Sequence, residues 1–269
     1  MLTPRSTRIK QARRLGTRTF RHKSGRFLAE GPQAVREALR TGLVIEVYAA
    51  SGAEDRHRDL RNLARAASTP WLPVDDDALD AVTDTVTSQG VVAVCRLVDV
   101  PLEEAVRRDA RLVAVGVQVR DPGNAGTLIR CADAAGAEAV VFSTESVDPH
   151  NPKAVRASAG SVFHLPISLE AEVEAAVGGW REDLGLQVLA ADGEGDTDLD
   201  DLIDAGGLAT PTAWLFGNEA HGLSDSVTTL ADRVVRVPIH GRAESLNLAT
   251  AAAVCLYASA RAQRRTADS

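Results

Sequence analysis

The sequence predicts an α/β fold with a small α/β unit over residues 1–97, a linker over 98–110, and a larger unit built on a parallel sheet over 111–269. From residue 110 onward, short apolar segments alternate with helical ones, the pattern of a parallel sheet covered by helices on both faces. The first strand, Leu112–Gln118, is a continuous apolar run, as expected for a strand buried on both faces. Glycine-containing loops follow the last two predicted strands, and open α/β sheets bind ligands at such strand ends.

The elements of the first unit are short and bounded by turn residues. Residues 1–20 are basic and predict a helix or an arm, and Pro32 suits the first turn of a helix that runs to about Leu39. The other predicted elements are the strands Arg26–Ala29, Val44–Ala50, Trp71–Val74 and Val91–Leu97 and the helices Asp55–Ala67 and Asp75–Ala81. Asp99–Asp109 contains Pro101 and is predicted to link the two units.

In the second unit, the turn residues Asp121–Asn124 precede a helix for which Asn124 suits the N-cap. Val162–Ile167 leads into a helix from about Glu170, and Asp192–Asp201 reads as an acidic loop. A long final helix is predicted from about Leu246, with Ser245 as its N-cap. The remaining predicted strands are Ala139–Phe142, Gln187–Ala191, Ala213–Phe216 and Val234–Val237.

Composition predicts a soluble protein, with 45% apolar residues and 25% charged residues. No apolar run is long enough to cross a bilayer and the basic N-terminus lacks a signal-peptide core, so we expect a cytoplasmic protein without a membrane partner. Three cysteines far apart fit reduced thiols. The histidines of the C-terminal half lack ligand spacing, so no metal is expected; they are His150, His164, His221 and His240.

Charge is distributed unevenly along the chain. The total is −7, yet residues 1–40 carry a net charge of +9. A basic arm on an acidic body predicts binding to a polyanion, because arginine pairs with phosphate and releases condensed counterions. The alternative is that these basic residues form an ordinary solvent-exposed helix face that binds no polyanion. The candidate RNA-binding residues are Arg5, Arg8, Arg13, Arg14, Arg18, Arg21, Lys23, Arg26 and, on a later predicted helix, Lys153 and Arg156.

The loops after the last two strands have the chemistry of a ligand site. Gly217, Gly222 and Gly241 would let the backbone approach a ligand closely. The start of the following helix offers free N–H groups to a negatively charged group. Ordinary turns between strands and helices use the same residues, so this pattern alone leaves both interpretations open.

Three motifs in order resemble those of the SpoU (TrmH-like) family of RNA methyltransferases, in the SPOUT class. Asn124–Arg130 (NAGTLIR) matches the first motif, N-x-G-x-x-x-R. Leu215–Leu223 (LFGNEAHGL) matches the second, and Val237–Ile239 (VPI) with Ser245–Leu248 (SLNL) matches the third. The resemblance covers residues 110–262, and residues 20–97 resemble the substrate-binding domain that precedes the catalytic domain in this group.

The resemblance implies transfer of a methyl group from S-adenosylmethionine to a ribose 2′-hydroxyl in RNA, with S-adenosylhomocysteine as the product and no metal. It implies a SPOUT-type sheet with a deep C-terminal trefoil knot, a homodimer, and a first domain similar to the ribosomal protein L30, an RNA-binding protein. That domain favours 23S ribosomal RNA as the substrate.

The resemblance also implies roles for individual residues. The motif positions implied to hold the cofactor are Gly217, Val237, Ile239, Leu246 and Asn247. Those implied to serve catalysis and to contact the ribose are Asn124, Arg130, Glu219, Ser245 and Asn247. Because a guanidinium resists deprotonation, we expect Arg130 chiefly to grip the target phosphate and orient the hydroxyl.

Alternative functions remain open at this point. The substrate is transfer RNA in one of them, and in another the chain is a non-catalytic RNA-binding protein that keeps the fold. A nicotinamide-dependent Rossmann enzyme is disfavoured, because no G-x-G-x-x-G turn follows the first strand of the second unit. The sequence does not identify the target nucleotide or decide whether methylation confers antibiotic resistance.

Overall fold

The computed structural model describes residues 1–83, 85, 88–218 and 221–267. The chain divides into two compact units, which are described separately. Unit 1 comprises Met1–Val98 and Asp148–His164, and unit 2 comprises Asp99–Val147 and Leu165–Ser269. Within the described residues, no helix is both long enough and apolar enough to cross a membrane.

The helices and strands alternate along the chain. The helices are α1 (Thr7–Arg14), α2 (Arg18–Ser24), α3 (Pro32–Thr41), α4 (Ala53–Arg56), α5 (Arg58–Ala66), α6 (Asp76–Asp80), α7 (Leu102–Ala105), α8 (Pro122–Ala135), α9 (Pro152–Ala157), α10 (Val173–Glu182), α11 (Leu199–Asp204), α12 (Asp225–Thr228) and α13 (Leu248–Ala267). The strands are β1 (Arg26–Glu30), β2 (Val44–Ala50), β3 (Trp71–Val74), β4 (Val91–Arg96), β5 (Leu112–Gly116), β6 (Ala139–Ser143), β7 (Ile167–Ala171), β8 (Gln187–Ala191), β9 (Thr197–Asp198), β10 (Thr212–Phe216) and β11 (Arg233–Arg236). Short 3₁₀ helices occur at Ser161–Phe163 and Gly207–Ala209.

Unit 1 is built on a four-stranded mixed sheet in the order β1-β4-β2-β3. The central strand β4 pairs antiparallel with both β1 and β2, and β3 joins β2 in parallel. Helix α1 adds Ile9 and Ala12, and its C-cap residue adds Leu15, to a core formed with sheet residues such as Tyr48 and Val92. The basic N-terminal segment is therefore an amphipathic helix with a buried apolar stripe.

The segment Asp148–His164 groups with unit 1, although the strands before and after it belong to unit 2. His150 Nε2 accepts a hydrogen bond from the Val98 N–H at 3.2 Å. The Phe27 ring lies 4.8 Å from the His150 ring and 5.8 Å from the Phe163 ring, measured between centroids. This grouping differs from the predicted division, which assigned the segment to residues 111–269. Apolar packing across more than 100 residues of chain produces it, and local sequence patterns do not report such contacts.

Unit 2 has the predicted parallel sheet. Its seven strands follow the order β7-β6-β5-β10-β8-β11-β9, and every recorded pairing between neighbours is parallel. Strands β5, β6 and β10 are buried at every position, which explains their uninterrupted apolar sequences. Because β10 pairs with both β5 and β8, the chain segments that leave β5, β8 and β10 emerge at the same edge of the sheet.

Two local predictions in unit 2 were wrong. The segment predicted to run from Val162–Ile167 into a helix contains a 3₁₀ turn, and β7 starts at Ile167 and covers the predicted start of the helix at Glu170. The Asp192–Asp201 region is only partly a loop, because it contains β9 and the first turn of α11. Asp198 accepts a hydrogen bond from the Asp200 N–H, which makes an acidic residue the N-cap of that helix.

Candidate active site

A cavity of about 880 Å³ lies at the carboxyl ends of β8, β10 and β11 in unit 2. It is the position at which open parallel sheets bind their ligands. The segments after β10 and β11 and the start of α13 form its walls. The motif residues that line it are Asn124, Gly217, Val237, Ile239, Ser245, Leu246 and Asn247.

Close backbone packing shapes the loop after β10. A Cβ built on Gly217 would lie 2.3 Å from the Gly222 carbonyl carbon, so only glycine fits there. Asn218 and Gly222 exchange two backbone hydrogen bonds of 2.9 Å, which fold the loop back on itself. Gly222 has a φ of 66°, in the left-handed region. The sequence predicts that glycine here lets the backbone approach a ligand. In the structure, Gly217 instead lets one backbone segment pack closely against another.

Asn247 is the N-cap of α13, and Ser245 is not. The Asn247 Oδ1 accepts hydrogen bonds from the Ala249 N–H at 3.0 Å and from the Thr250 N–H at 3.4 Å. The helix begins at Leu248, two residues later than predicted. Both serine and asparagine are good N-caps, so composition alone did not distinguish Ser245 from Asn247. Ser245 lies exposed in the preceding loop, where it lines the cavity.

Asn124 and Asn247 join two helices at the cavity. The Asn247 Nδ2 donates a hydrogen bond to the Asn124 Oδ1 at 3.0 Å. Asn124 is not the N-cap that its sequence position indicated: Asp121 caps α8 by accepting from the Asn124 N–H at 2.9 Å. Asn124 therefore lies inside the first turn of α8, with its side-chain oxygen held by the start of α13.

Arg130 lies on α8, six residues after Asn124 and thus about 9 Å further along the helix axis. Its side chain is exposed and is not part of the cavity wall. The adjacent Cys131 thiol donates to the Ala249 carbonyl at 3.8 Å, which ties α8 to α13. Burial raises the pKa of the Cys131 thiol, while the positive charge of Arg130 opposes that shift. The Arg130 side chain is therefore accessible from solvent, outside the cavity wall.

Sequence reasoning missed two residues at this site. Asn218 Nδ2 donates to the Gln118 carbonyl at 2.8 Å, which pins the loop before α8 to the loop after β10. Asp192 follows β8 directly and lines the cavity. Asp192 could have been found from the sequence, because it directly follows a predicted buried strand, where parallel sheets bind ligands. Glu219 lies outside the described residues. Among the residues described, no three His, Cys, Asp or Glu side chains are grouped to hold a metal ion.

In unit 1, most of the basic candidates for RNA binding lie on the surface. The exposed ones are Arg5, Arg8, Arg13, Arg14, Arg18, Lys23, Arg26 and Lys153. Arg156 is partly buried and donates to Glu30 at 2.9 Å. Lys153 and Arg156 both lie on α9, as predicted.

Arg21 is the exception among these candidates, because it is buried inside unit 1 with only 2% of its surface exposed. Its guanidinium pairs with the buried Asp148 at 2.6 Å and donates to the Leu15 and Gly16 carbonyls. Arg21 is thus fully engaged inside the unit. We therefore remove it from the candidate RNA surface.

The chain matches two family models. Residues 111–257 match the SpoU rRNA Methylase family, and residues 6–93 match the MRM3-like substrate binding domain. The chain is 33% identical over 257 residues to the 23S rRNA (guanosine(2553)-2′-O)-methyltransferase RlmP of Bacillus subtilis, covering 94% of this chain and 96% of the relative. It is 31% identical to the 23S rRNA (uridine(2479)-2′-O)-methyltransferase of Streptomyces viridochromogenes, covering 97% and 91%.

A solved structure agrees in fold over nearly the whole chain. The SpoU methyltransferase AviRb of Streptomyces viridochromogenes, in complex with the cofactor AdoMet, superposes with a TM-score of 0.84 at 31% identity. The match covers 97% of this chain and 99% of AviRb. The similarity thus extends over both units.

Proposed function

Because this chain belongs to the SpoU rRNA methylase family, we propose that it transfers a methyl group from S-adenosylmethionine to a ribose 2′-hydroxyl in RNA. The favoured substrate is 23S ribosomal RNA, because the two curated relatives above carry that activity in their names and match almost the full chain. The observation that carries the proposal is the joining of Asn124 and Asn247, from the first and third motifs, at one cavity.

The cavity fits the cofactor in size and in chemistry. About 880 Å³ lies within the range of small-molecule sites. Ile239 and Leu246 are 38% and 37% exposed and line it, so they offer apolar surface to an adenosine group. The tight backbone packing at Gly217 keeps the loop after β10 in place. We assign cofactor binding to Gly217, Val237, Ile239, Leu246 and Asn247.

When bound, the cofactor supplies a methyl group already activated by a sulfonium, so the protein's main task is to align the ribose hydroxyl with it. Arg130, exposed on α8, would hold the phosphate next to the target ribose through its planar pair of donors. The hydrogen-bonded Asn124 and Asn247 fix the starts of the two helices, and Ser245 lies beside them in the cavity wall. The role of Glu219 stays a prediction.

We assign RNA binding in unit 1 to the exposed basic residues of the N-terminal helices. Arg13 and Arg14 end α1, and Arg18 and Lys23 lie on α2. Phosphate contacts of this kind give affinity without sequence specificity. Base stacking contributes little, since the chain has only five Phe, three Trp and two Tyr.

We further propose that the enzyme is a homodimer in the cytoplasm and that its C-terminal part forms the family's trefoil knot. On α13, Val254 and Tyr257 are 40% and 52% exposed, and burying them would favour association. The knot is proposed from the family alone; locally, a Cβ on Gly195 would lie 2.7 Å from the Val234 carbonyl oxygen, because the segment before β9 packs closely against β11. Sedimentation velocity tests the dimer: a Tyr257→Glu variant should sediment as a monomer, and an unchanged dimer would count against this face.

Methyl transfer to isolated RNA classes tests the substrate. Unmodified 23S ribosomal RNA and unmodified transfer RNA are each incubated with cofactor labelled in the methyl group. We expect label in the ribosomal RNA, and none with the Arg130→Ala enzyme. Label in transfer RNA alone would keep the chemistry and overturn the substrate. Absence of cofactor binding would favour a non-catalytic RNA-binding protein.

A further inference from the structure

The charged side chains of the cavity wall leave it with a negative charge. Among the described residues, three charged side chains line it: Asp192, Arg236 and Glu244. The Arg236 guanidinium is already engaged, because its Nε lies 3.4 Å from Asp198 Oδ2 and its Nη1 donates to the Gly195 carbonyl at 3.0 Å. The positive charge of Arg236 is therefore balanced by Asp198 in β9. Asp192 and Glu244 carry no ion pair among the described residues.

Asp192 is the better placed of the two acids. It follows β8 directly, between the ends of β10 and β11, and its backbone N–H donates to the Val235 carbonyl at 3.0 Å. Its Oδ1 accepts from the Glu194 N–H at 2.9 Å, which fixes the carboxylate. Its Oδ2 lies 3.0 Å from the Cβ position of Gly222. Within the described part of the chain, no hydrogen bond reaches Oδ2, and Asp192 lines the cavity.

A fixed carboxylate in a half-buried wall favours a ligand that carries a positive charge. The substrate and product of methyl transfer differ by that charge. The methyl group leaves sulfur for the ribose oxygen, the hydroxyl proton is released, and the sulfonium becomes a neutral thioether. S-adenosylmethionine is therefore more positive than S-adenosylhomocysteine by one unit.

Resting on the proposed function, we infer that Asp192 is a specificity-determining residue that selects the sulfonium cofactor over its neutral product. Its carboxylate attracts the charge that is lost in the reaction, so the spent cofactor is held less tightly and leaves. The cavity thereby distinguishes two ligands that have almost the same shape. Glu244, in the exposed loop before α13, acts in the same direction from solvent, where screening weakens it.

Calorimetry on the full chain tests this with three probes: S-adenosylmethionine, S-adenosylhomocysteine and sinefungin, which has an ammonium group in place of the sulfonium. The Asp192→Asn variant keeps an oxygen that accepts from the Glu194 N–H and loses only the charge. We expect its Kd to rise about five- to tenfold for the two cationic ligands and less than about twofold for the neutral product. A thermal midpoint matching the wild type verifies folding.

Glu194→Gln is the matched control, because it removes the same charge two residues away from a side chain that does not line the cavity. It should leave the ratio of the two Kd values unchanged; an equal change would assign the effect to overall charge and overturn the proposal. Equal weakening of all three probes by Asp192→Asn, or no weakening, would also overturn it. Failure of the wild-type protein to bind any probe would overturn the proposed function itself.

Discussion

Arg130 and Asn247 contribute differently to the site, although both belong to the motifs. Asn247 is held by three hydrogen bonds and lines the cavity. Arg130 is exposed and outside the wall. Asn247 is therefore held in place by the fold, whereas the side chain of Arg130 is exposed to solvent. Variants at the two positions should separate these effects.

Replacing Arg130 with lysine keeps the charge and removes the planar pair of donors. We expect turnover to fall at least about 100-fold, because a misplaced phosphate misaligns the hydroxyl. The Kd for S-adenosylmethionine should stay within about twofold, as expected for a change in RNA positioning alone. Arg108→Lys, at another exposed arginine of unit 2, is the control. Near-normal turnover in the Arg130→Lys enzyme would contradict the role of the planar donors.

Asn247 permits a comparison of its two roles. Asn247→Asp keeps the oxygen that caps α13 but cannot donate to Asn124, whereas Asn247→Ala loses both functions. We expect the aspartate variant to stay within about 0.5 kcal/mol of wild type and the alanine variant to lose about 1 kcal/mol, measured by urea unfolding. Both should lose methyl transfer. Ser245→Ala should leave stability unchanged, since Ser245 does not cap the helix. If Ser245→Ala lost as much unfolding free energy as Asn247→Ala, our assignment of Asn247 as the N-cap would be refuted.

Loops after strands carry most of the site, and the loop after β10 depends on the absence of a side chain at Gly217. A Cβ there would lie 2.3 Å from backbone, so Gly217→Ala should force the loop to move and cost more than about 2 kcal/mol. Gly193→Ala is the control, because a Cβ at this other cavity residue meets nothing within 4 Å. Equal thermal midpoints for the two variants would show that the loop accommodates a methyl group.

Inside unit 1, Arg21, Asp148 and His150 form a buried polar cluster. Burial alone would raise the pKa of Asp148, but the hydrogen bond from His150 and the positive charge of Arg21 bring it well below its usual range. A lowered folded pKa stabilises unit 1 above the unfolded value of about 3.9, and this stability is lost as the pH falls through the folded value.

Two variants of the cluster, Arg21→Ala and Asp148→Asn, and one control, Lys23→Ala, test its contribution to stability. Arg21→Ala should destabilise unit 1 by about 3–5 kcal/mol at pH 7, because it leaves Asp148 buried without its guanidinium partner. Lys23→Ala, exposed on the same helix, should cost less than about 0.5 kcal/mol. Asp148→Asn should flatten the loss of stability below pH 4. An unfolding curve for Arg21→Ala that matches the wild type would show that the buried pair contributes nothing.

Local patterns predicted most elements but not all their ends. Val44–Ala50, Trp71–Val74 and Gln187–Ala191 have the predicted bounds, since each is a short, largely apolar run with a glycine or proline within two residues of its start. The start of α13 was misplaced by two residues, since Ser245 and Asn247 are equally good caps on composition. The pattern did not reveal β7, which follows Pro166 and a 3₁₀ turn. Residue chemistry alone indicated the loops after the last two strands, but the meeting of Asn124 with Asn247 was predictable only through the family resemblance, because sheet order, not chain order, brings them together.

Considered whole, the chain pairs a basic N-terminal segment with an acidic remainder. Residues 1–40 carry +9 on a protein of net charge −7. The grouping of Asp148–His164 with unit 1 was not predictable, because that contact spans over 100 residues. One family model matches residues 6–93, within unit 1, and the other matches residues 111–257, a range that includes Asp148–His164 of unit 1. Under the proposed function, the basic segment holds RNA while unit 2 performs the reaction.

The central claim is methylation of a ribose hydroxyl of 23S ribosomal RNA, and nucleoside mass spectrometry tests it most directly. Unmodified 23S ribosomal RNA is treated with enzyme and cofactor, digested to nucleosides, and compared with RNA treated with the Arg130→Ala enzyme. We predict one additional nucleoside with its methyl group on the ribose, absent from the variant sample. A methyl group found on a base, or found equally with Arg130→Ala, would contradict the account.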